Sequence, residues 1–374
     1  MHPADQDQPA AHPTRPPCHA VPAAIGGRID SAQPLRHNTG NAATGGIWRV
    51  HGPTGTAILK IARPPAAVPA GSPSWQTSRE PAHWNYWRRE VLAYQTGLAA
   101  RAYAGTGIVV PDLLATHEHP GTGAVDLWLA DAPGEPGTAW PVPRLGRFAH
   151  QLGTGQTRWA GRVPDLPWLS RDWLGQYLRD GPARTVWITG DEHWDHPLAR
   201  IWPAPVRHRL RRLWTHRHTA LDRARAGTRT LCHLDVWPTN LIAAGPTGTV
   251  LLDWSFTGTG GLGEDAANLI VDSVTDGLMD AALLPDIAAA VTDGYLAGLR
   301  AGGWSGATDP VRRAVAVAGA AKYAWFAPAL LGRALRGSPT GHLQYGQDRT
   351  GEQALHRLRG LAELLARWAV PALD

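Results

Sequence analysis

The stretch 231–253 constrains the chain most, because it places three oxygen-bearing side chains around a predicted hairpin. Asp235 is followed by Asn240 five residues later and by Asp253 thirteen residues after that. The apolar runs on either side of the turn 245–248 predict two antiparallel strands. Folding this hairpin brings Asn240 and Asp253 to the same open end, where an amide oxygen and a carboxylate would hold Mg²⁺.

These residues resemble the catalytic loop and the metal-binding aspartate of the aminoglycoside phosphotransferase and choline kinase-like family, within the protein-kinase-like superfamily. That family carries His-Gly-Asp, four further residues and Asn, and then an Asp at a strand end. Here the loop is His233-Leu234-Asp235, with leucine in place of glycine. The segment 254–269 after Asp253 is also similar to the family. The competing interpretation is that these residues only cap turns.

The resemblance implies an α+β fold of two lobes. The N-lobe would be small and β-rich with one main helix, and the C-lobe would be larger and mostly α-helical. We expect a disordered tail over 1–28, a nucleotide-binding N-lobe over 29–134, and a C-lobe over 135–374 that carries catalysis and acceptor binding.

The composition of the 374-residue chain fits a soluble globular protein, with 43% hydrophobic and 18% charged residues. No apolar run reaches the roughly 18 residues of a membrane span, and the N-terminus has no hydrophobic signal region. We therefore expect no membrane association. With Cys18 and Cys232 as its two cysteines, the chain is not a disulfide scaffold, which favours the reducing cytoplasm.

The positive charge does not by itself indicate a nucleic-acid partner. The net charge is +5 and the pI is about 9.5, but the basic residues are scattered and form no aromatic-interleaved binding motif. We therefore expect no nucleic acid. Of the 36 basic residues only Lys60 and Lys322 are lysines. Because lysine is a compact point charge and arginine a planar fork, a lysine in such a chain is a candidate for a specific role.

Lys60 lies in the second of two predicted strands, 47–50 and 56–62, which follow the small-residue loop 38–46. Backbone N–H groups of this loop, including those of Gly45 and Gly46, would approach phosphates. An ordinary flexible turn is the alternative, because the loop matches no phosphate-binding motif.

Two further features would complete the nucleotide site under the resemblance. A helix is predicted from Pro81 to Gly97 by apolar spacing, and its Glu90 resembles the kinase glutamate that pairs with the strand lysine. Glu80 is the runner-up, and a solvated surface glutamate is the alternative. The strand 125–130 resembles the interlobe hinge, so adenine would pair with backbone groups near Ala130 and Ala132.

The remainder of the chain is predicted to be mainly helical. Lys322 is expected to run its stem along a helix and to place its ammonium in solvent, with substrate contact as the alternative. The acidic and histidine-containing cluster 191–196 is interpreted as a solvated loop, with a substrate-pocket lip or a metal site as alternatives. The helices are expected over 145–152, 167–178, 207–225, 266–278, 284–299, 311–335 and 352–370.

The reaction implied is transfer of the γ-phosphoryl group of ATP to a hydroxyl of a small molecule, of antibiotic, sugar or amino-alcohol type. Asp235 would accept the hydroxyl proton, Asn240 and Asp253 would hold Mg²⁺, and Lys60 oriented by Glu90 would contact the phosphates. The alternatives are a kinase for Ser or Thr of a peptide, and a non-catalytic kinase-like nucleotide-binding protein. The oligomeric state is not indicated by the sequence.

Overall fold

The computed structural model describes residues 16–18, 20–68, 75–188, 190–337 and 350–374. Within these ranges the chain divides into two compact units. The first unit ends at Arg79 and resumes over Pro111–Asp131, and the second comprises Glu80–Val110 and Ala132–Asp374. The first unit is rich in strands and the second in helices, which confirms the predicted α+β fold class.

The first unit is built on one antiparallel sheet of five strands, β1 (Ser31–Pro34), β2 (Thr44–Gly52), β3 (Gly55–Ala62), β5 (Leu113–Glu118) and β6 (Val125–Ala130). Their order in the sheet is β1-β2-β3-β6-β5. The β2–β3 hairpin turns at 53–54, as the sequence pattern predicts. The strand β6 pairs with the other side of β3, which the sequence did not indicate.

One face of this sheet is covered by the segment that precedes it. Trp48 of β2 pairs with Leu59 of β3, and both side chains are buried on that face because strand side chains alternate. Ile25, at the end of a short 3-10 helix over Ala23–Ile25, packs in the same cluster. Residues 23–25, which belong to the expected tail 1–28, are therefore ordered, because the buried side chain of Ile25 attaches them to the sheet. Residues 1–15 and 19 lie outside the described residues.

The second unit combines helices with short strands. The strands are β4 (Ile108–Val109), β7 (Arg229–Cys232), β8 (Leu241–Ala244), β9 (Gly248–Leu251) and β10 (Gly258–Gly261). The strand β4 pairs in parallel with β9, which also pairs with β8, while β7 pairs with β10. The helices are α1 (Arg89–Gln95), α2 (Leu98–Ala102), α3 (Val142–Thr157), α4 (Trp173–Asp180), α5 (Asp191–Asp195), α6 (Ala204–Thr215), α7 (Arg217–Ala226), α8 (Glu264–Asp272), α9 (Leu284–Ala301), α10 (Thr308–Lys322), α11 (Phe326–Arg336), α12 (Gly351–Arg357) and α13 (Arg359–Leu373).

Helices α3 and α9 approach each other through glycines. A Cβ atom on Gly294 would lie 2.1 Å from the carbonyl oxygen of Gly146, and one on Gly298 would lie 2.0 Å from that of His150. Side chains are therefore excluded at these positions, since real Cβ contacts are much longer. The close approach brings Tyr295 of α9 within hydrogen-bond distance of Gln156 of α3, with Oη donating to Oε1 at 2.6 Å.

The predicted helix 81–97 is shorter in the structure, where α1 begins only at Arg89. The Arg89 side chain is fully buried, and its five N–H groups donate to five backbone carbonyl oxygens. An arginine has five donors, so its hydrogen-bonding capacity is used completely. Carbonyl groups that a helix would direct along its axis are instead turned towards this guanidinium. The acceptors belong to Pro81, His83, Trp84, Trp168 and Ser255.

These contacts also explain why residues 80–110 pack with the second unit. Two of the acceptors, Trp168 and Ser255, lie elsewhere in that unit and attach the turn before α1 to it. The predicted lobe boundary at residue 134 stays a prediction.

Three of the predicted helices are each divided in the structure. The predicted helix 207–225 is interrupted at His216, between α6 and α7, and 311–335 is interrupted after Lys322, between α10 and α11. The predicted helix 352–370 is interrupted at Leu358, between α12 and α13. Leu210, Leu213 and Leu221 of the predicted apolar stripe are buried as expected, whereas His218 is exposed.

Within the described chain, the stretch Thr308–Arg336 is long and apolar enough to cross a membrane by length and composition. Its mean hydropathy is 1.4 in the best window, and 83% of that window is buried inside the protein. A core helix that is apolar on most sides has the same property. Lys322 and the arginines interrupt the stretch, so the sequence shows no continuous apolar run there.

Replacement of Arg89 by lysine is expected to lower the free energy of unfolding by about 2–4 kcal/mol. Lysine has three donors, so at least two of the carbonyl oxygens would lose their partner. Urea unfolding followed by circular dichroism measures the change. The matched control is Arg312→Lys at a side chain that is 54% exposed, where a change of about 0.5 kcal/mol or less is expected. Equal effects of the two substitutions would contradict the role of Arg89.

Candidate active site

The loop after β7 is held in an unusual backbone conformation. Leu234 has a φ of 69°, in the left-handed region that costs a non-glycine residue roughly 1–2 kcal/mol. Its N–H donates to Oδ1 of Asp265 at 2.7 Å, and the N–H of His233 donates to Oδ2 at 2.8 Å. These two bonds hold the loop in place, which explains how leucine occupies a position that carries glycine in the family this sequence resembles.

Asp265 lies in the first turn of α8 and is fully buried. Besides the two backbone donors, Gln156 donates from Nε2 to Oδ2 at 2.8 Å. Burial raises the pKa of Asp265 to about 7, and the hydrogen bonds from the loop backbone oppose that rise. The carboxyl group therefore positions the loop.

Asn240 is locked against Asp235, the predicted catalytic base. The amide nitrogen of Asn240 donates to the backbone oxygen of Asp235 at 2.9 Å and to its Oδ2 at 3.0 Å. Both N–H groups of the amide are thereby used, which fixes its orientation. Among the described residues no hydrogen bond reaches the Oδ1 of Asn240, so this oxygen is available as a ligand.

Asp253 stands at the end of the predicted hairpin, whose strands and turn the structure confirms. Leu241 pairs with Leu251, and the N–H of Leu252 donates to the carbonyl oxygen of Asn240 at 2.9 Å. The hairpin therefore brings Asn240 and Asp253 to the same end. Asp253 has a φ of 57°, the second left-handed residue of the site.

The carboxylates of Asp235 and Asp253, both half-buried, and the buried amide of Asn240 thus lie close together. Burial and, after it, the charge of Asp253 raise the pKa of Asp235 to about 8, while the charge of Lys322 and the hydrogen bond from Asn240 oppose the rise. Such mutual repulsion is relieved by a bound cation, and oxygen ligands of this kind suit a hard divalent metal. The donor set fits Mg²⁺ held by Asn240 and Asp253.

His233 connects the loop to the hairpin. Its Nε2–H donates to the carbonyl oxygen of Leu252 at 2.9 Å, and its Nδ1 accepts from the N–H of Asp235 at 3.3 Å. The ring is buried and meets the ring of Trp254 edge-on. Since both ring nitrogens are hydrogen-bonded to the backbone, His233 braces the loop against the hairpin.

Ser255 is a site residue that the sequence reasoning missed. Its hydroxyl donates to Oδ1 of Asp253 at 2.5 Å and lies 3.3 Å from Oε2 of Glu90, a buried residue of α1. Ser255 therefore links the predicted metal ligand to the predicted helix glutamate. The sequence shows only a serine two positions after an aspartate. Because this pair is common in turns, it does not single Ser255 out as a site residue.

Lys60 and the glycines lie in the first unit. Lys60 is buried in β3, between Ile47 of β2 and Leu127 of β6 in the sheet register. Its predicted pairing with Glu90 of the second unit stays a prediction. Gly45 and Gly46 lie within β2 instead of the predicted loop, because the strand begins at Thr44. A Cβ on Gly46, whose φ is 143°, would collide with the Trp48 ring.

The small-residue loop is closed by its own hydrogen bonds. Its backbone N–H groups donate to oxygens of Asn38, Asn41 and Trp75. These N–H groups belong to residues 40–44, and all of their acceptors lie within the first unit. A phosphate contact through them would require the loop to open.

The predicted hinge coincides with the end of the first unit. Ala130 is the last residue of β6, and its N–H already donates to the carbonyl oxygen of Asp112 at 2.9 Å. At Ala132 the chain returns to the second unit. An adenine at Ala130 would therefore use the carbonyl group or a neighbouring residue.

The cluster 191–196 forms the short helix α5 followed by His196, and not a loop. Asp191 pairs with Arg211 at 2.5 Å, and His193 packs edge-on against Trp187. Among the described residues no group of three or more His, Cys, Asp or Glu could hold a metal. The helix and its ion pair give these residues a structural explanation.

Comparison with known proteins gives structural likenesses alone. No family profile matches the sequence, and no curated protein is similar to it. An amicoumacin kinase in complex with AMP-PNP and Ca²⁺ is 13% identical over 88% of each chain, with a TM-score of 0.49. A spectinomycin phosphotransferase with ADP and spectinomycin is 10% identical over 92% of this chain and 93% of that one, with a TM-score of 0.46.

A choline/ethanolamine kinase family protein from Mesorhizobium loti is 16% identical over 91% of this chain and 92% of that one, with a TM-score of 0.45. Because the scores lie below 0.5, the functional inference rests on the geometry of the site.

The buried Asp265 is expected to make stability depend on pH. Its pKa is about 7 in the folded chain against an ordinary 3.8, so folding tightens proton binding. The stabilisation is complete below about pH 4 and is lost as the pH rises through about 7, by at most about 1.4 kcal/mol per pH unit. The measurement is the difference in unfolding free energy between wild type and Asp265→Asn, which we expect to shrink over this range.

The control for this measurement is Asp165→Asn, which removes a carboxylate that is 90% exposed. It should leave the pH dependence of the wild type unchanged. A wild-type minus Asp265→Asn difference that is flat between about pH 4 and 8 would show that Asp265 does not take up the proton on folding.

Proposed function

We propose that this chain is a phosphotransferase that moves the γ-phosphoryl group of ATP to a hydroxyl of a small molecule, of antibiotic, sugar or amino-alcohol type. The observation that supports this most is the fixed arrangement of Asp235, Asn240 and Asp253. The Asn240 amide nitrogen is bound to Asp235, its oxygen is left for a metal, and Asp253 stands at the same hairpin end.

Asp235 would accept the proton of the acceptor hydroxyl. Its side chain is half-buried, is held by one hydrogen bond from Asn240, and belongs to a loop fixed by Asp265. General bases act within hydrogen-bond reach of the proton, so a rigid loop favours this role. When bound, Mg²⁺ would neutralise negative charge on the phosphates and between the carboxylates.

Most of the residues that we propose for nucleotide binding lie in the first unit. Lys60 would contact the phosphates as a buried point charge, with Glu90 orienting it. Gly45 and Gly46 would allow close approach of the backbone, and groups near Ala130 and Ala132 would meet the adenine. Phosphoryl transfer depends mainly on positioning and charge neutralisation, which this residue set is suited to supply.

One observation favours a second candidate, a nucleotide-binding protein without turnover. The N–H groups of residues 40–44 donate within the first unit, which removes them as phosphate donors while the loop stays closed. Such a protein would have no use for a base that is braced by Asn240 and Asp265. We therefore place it second.

Replacement of Asp235 by asparagine is expected to lower acceptor-dependent ATP turnover by about 10²–10⁴-fold, because the proton acceptor is removed. The measurement is Mg²⁺-dependent ATP consumption across a panel of hydroxylated acceptors. Asp165→Asn is the control and should retain full turnover. Undiminished turnover in the Asp235 variant would refute its role, while nucleotide binding without turnover in the wild type would favour the second candidate.

Ser255→Ala is expected to weaken the apparent affinity for Mg²⁺ by about 10-fold or more, because residues that hydrogen-bond to a metal ligand hold it in the orientation that binds the metal. The variant loses the hydroxyl that donates to Asp253. The measurement is the Mg²⁺ concentration that gives half-maximal turnover. An exposed serine, Ser31 of β1, provides the control as Ser31→Ala. Identical Mg²⁺ curves for both variants would show that the Ser255 hydroxyl does not orient the ligand.

A further inference from the structure

Lys322 is enclosed by three aromatic rings, contrary to the expected solvent-exposed ammonium. The side chain is only 5% exposed. Its Nζ lies 4.8 Å from the ring centroid of Trp173, 5.1 Å from that of Tyr323 and 5.6 Å from that of Tyr177. All three distances are within the range of a cation–π interaction. The expectation failed because the rings come from α4 and from the turn after α10, which the sequence does not show to be neighbours.

Polar partners complete the surroundings of this ammonium. Nζ donates to Oδ1 of Asn268 and lies 3.6 Å from Oδ2 of Asp272. The same Oδ2 accepts from the hydroxyl of Tyr323 at 2.7 Å and from Nδ2 of Asn268 at 2.8 Å. We call this set of rings and oxygens, formed by Trp173, Tyr177, Tyr323, Asn268 and Asp272, the ammonium cage.

A site of this composition recognises ammonium compounds in general. Aromatic faces attract the diffuse positive charge, and a carboxylate supplies the opposite charge at short range. In this chain the cation is provided by the protein itself. The Asp272 side chain remains 23% exposed, so the cage is not sealed from solvent at that side.

The ammonium cage borders the proposed catalytic base. Nδ2 of Asn268 donates to the carbonyl oxygen of Val236, the residue that follows Asp235, at 2.8 Å. The charge on Asp235 also contributes to the raised pKa of Tyr177 and of Tyr323, whose main cause is burial. The cage therefore lies beside the position where an acceptor would present its hydroxyl.

We propose that Lys322 is a specificity-determining residue whose ammonium fills the cation position beside Asp235, so that the acceptor is an alcohol without an ammonium group there. This inference rests on the proposed function and narrows its acceptor to a neutral or anionic hydroxyl compound. An ammonium on the acceptor would meet an occupied cage and a like charge, which disfavours binding. The compact ammonium of lysine lies within cation–π distance of all three rings at once.

The first test opens the cage. Lys322→Ala removes the ammonium and the stem from Cγ to Cε, and n-butylammonium carries the same ammonium on an alkyl chain that is one carbon longer than the part lost. We expect n-butylammonium to raise the melting temperature of the full-length variant in a saturable manner, while n-butanol does not. Neither compound should stabilise the wild type, whose cage is full. Absence of n-butylammonium binding to the folded variant would overturn the inference.

The second test compares acceptors. The wild type is expected to use neutral or anionic alcohols with a kcat/KM at least about tenfold above that for ammonium-bearing alcohols, and Lys322→Ala should reduce this ratio by about tenfold or more. A lysine with a purely structural role would change kcat/KM for all acceptors by the same factor. Efficient use of an ammonium-bearing acceptor by the wild type would also overturn the inference.

A second variant tests the same inference without emptying the cage. If Lys322→Ala does not fold, Lys322→Met removes the charge and keeps most of the volume, and an unchanged acceptor ratio in it would refute the proposal. Binding of n-butylammonium to Lys322→Ala with no turnover in the wild type for any acceptor would overturn the phosphotransferase proposal and its acceptor class, leaving a cation site. Turnover without n-butylammonium binding would overturn the specificity role of Lys322 and leave phosphotransfer standing.

Discussion

The carboxyl group of Asp265 is the interaction on which the rest of the site depends. It binds two consecutive backbone N–H groups, those of His233 and Leu234, and thereby holds a leucine in the left-handed region. That turn fixes Asp235, and Asp235 in turn fixes Asn240. Because backbone strain persists only where the surroundings over-determine it, the strained loop and the buried carboxyl group have to be understood as one unit.

Local patterns in the sequence predict those parts of the structure whose contacts are local. The β8–β9 hairpin has the predicted strands and turn, since a short turn and two apolar runs set its register without help from elsewhere. The strands around Lys60 follow for the same reason. Because the hairpin forms between Asn240 and Asp253, it brings these two residues together, and Asp235 lies close by on the preceding loop.

The predictions that were wrong concern features that depend on contacts between segments distant in the sequence. The turn before α1 replaces a predicted helix because Arg89 collects carbonyl groups from places as far apart in sequence as Pro81 and Ser255. Lys322 is buried because α4, α8 and α10 meet around it. Helical periodicity shows which face of a helix is apolar, but it does not show which helix will cover that face.

The geometry of the catalytic loop also depends on the glycine contact between α3 and α9, which lies away from the loop. Tyr295, placed by that contact, binds Gln156, and Gln156 binds the same carboxyl group that holds the loop. Positions such as Gly298 touch none of the reacting groups, yet a single added methyl group there would meet the backbone of His150. Substitutions on this helix face should therefore be as poorly tolerated during evolution as changes in the loop itself.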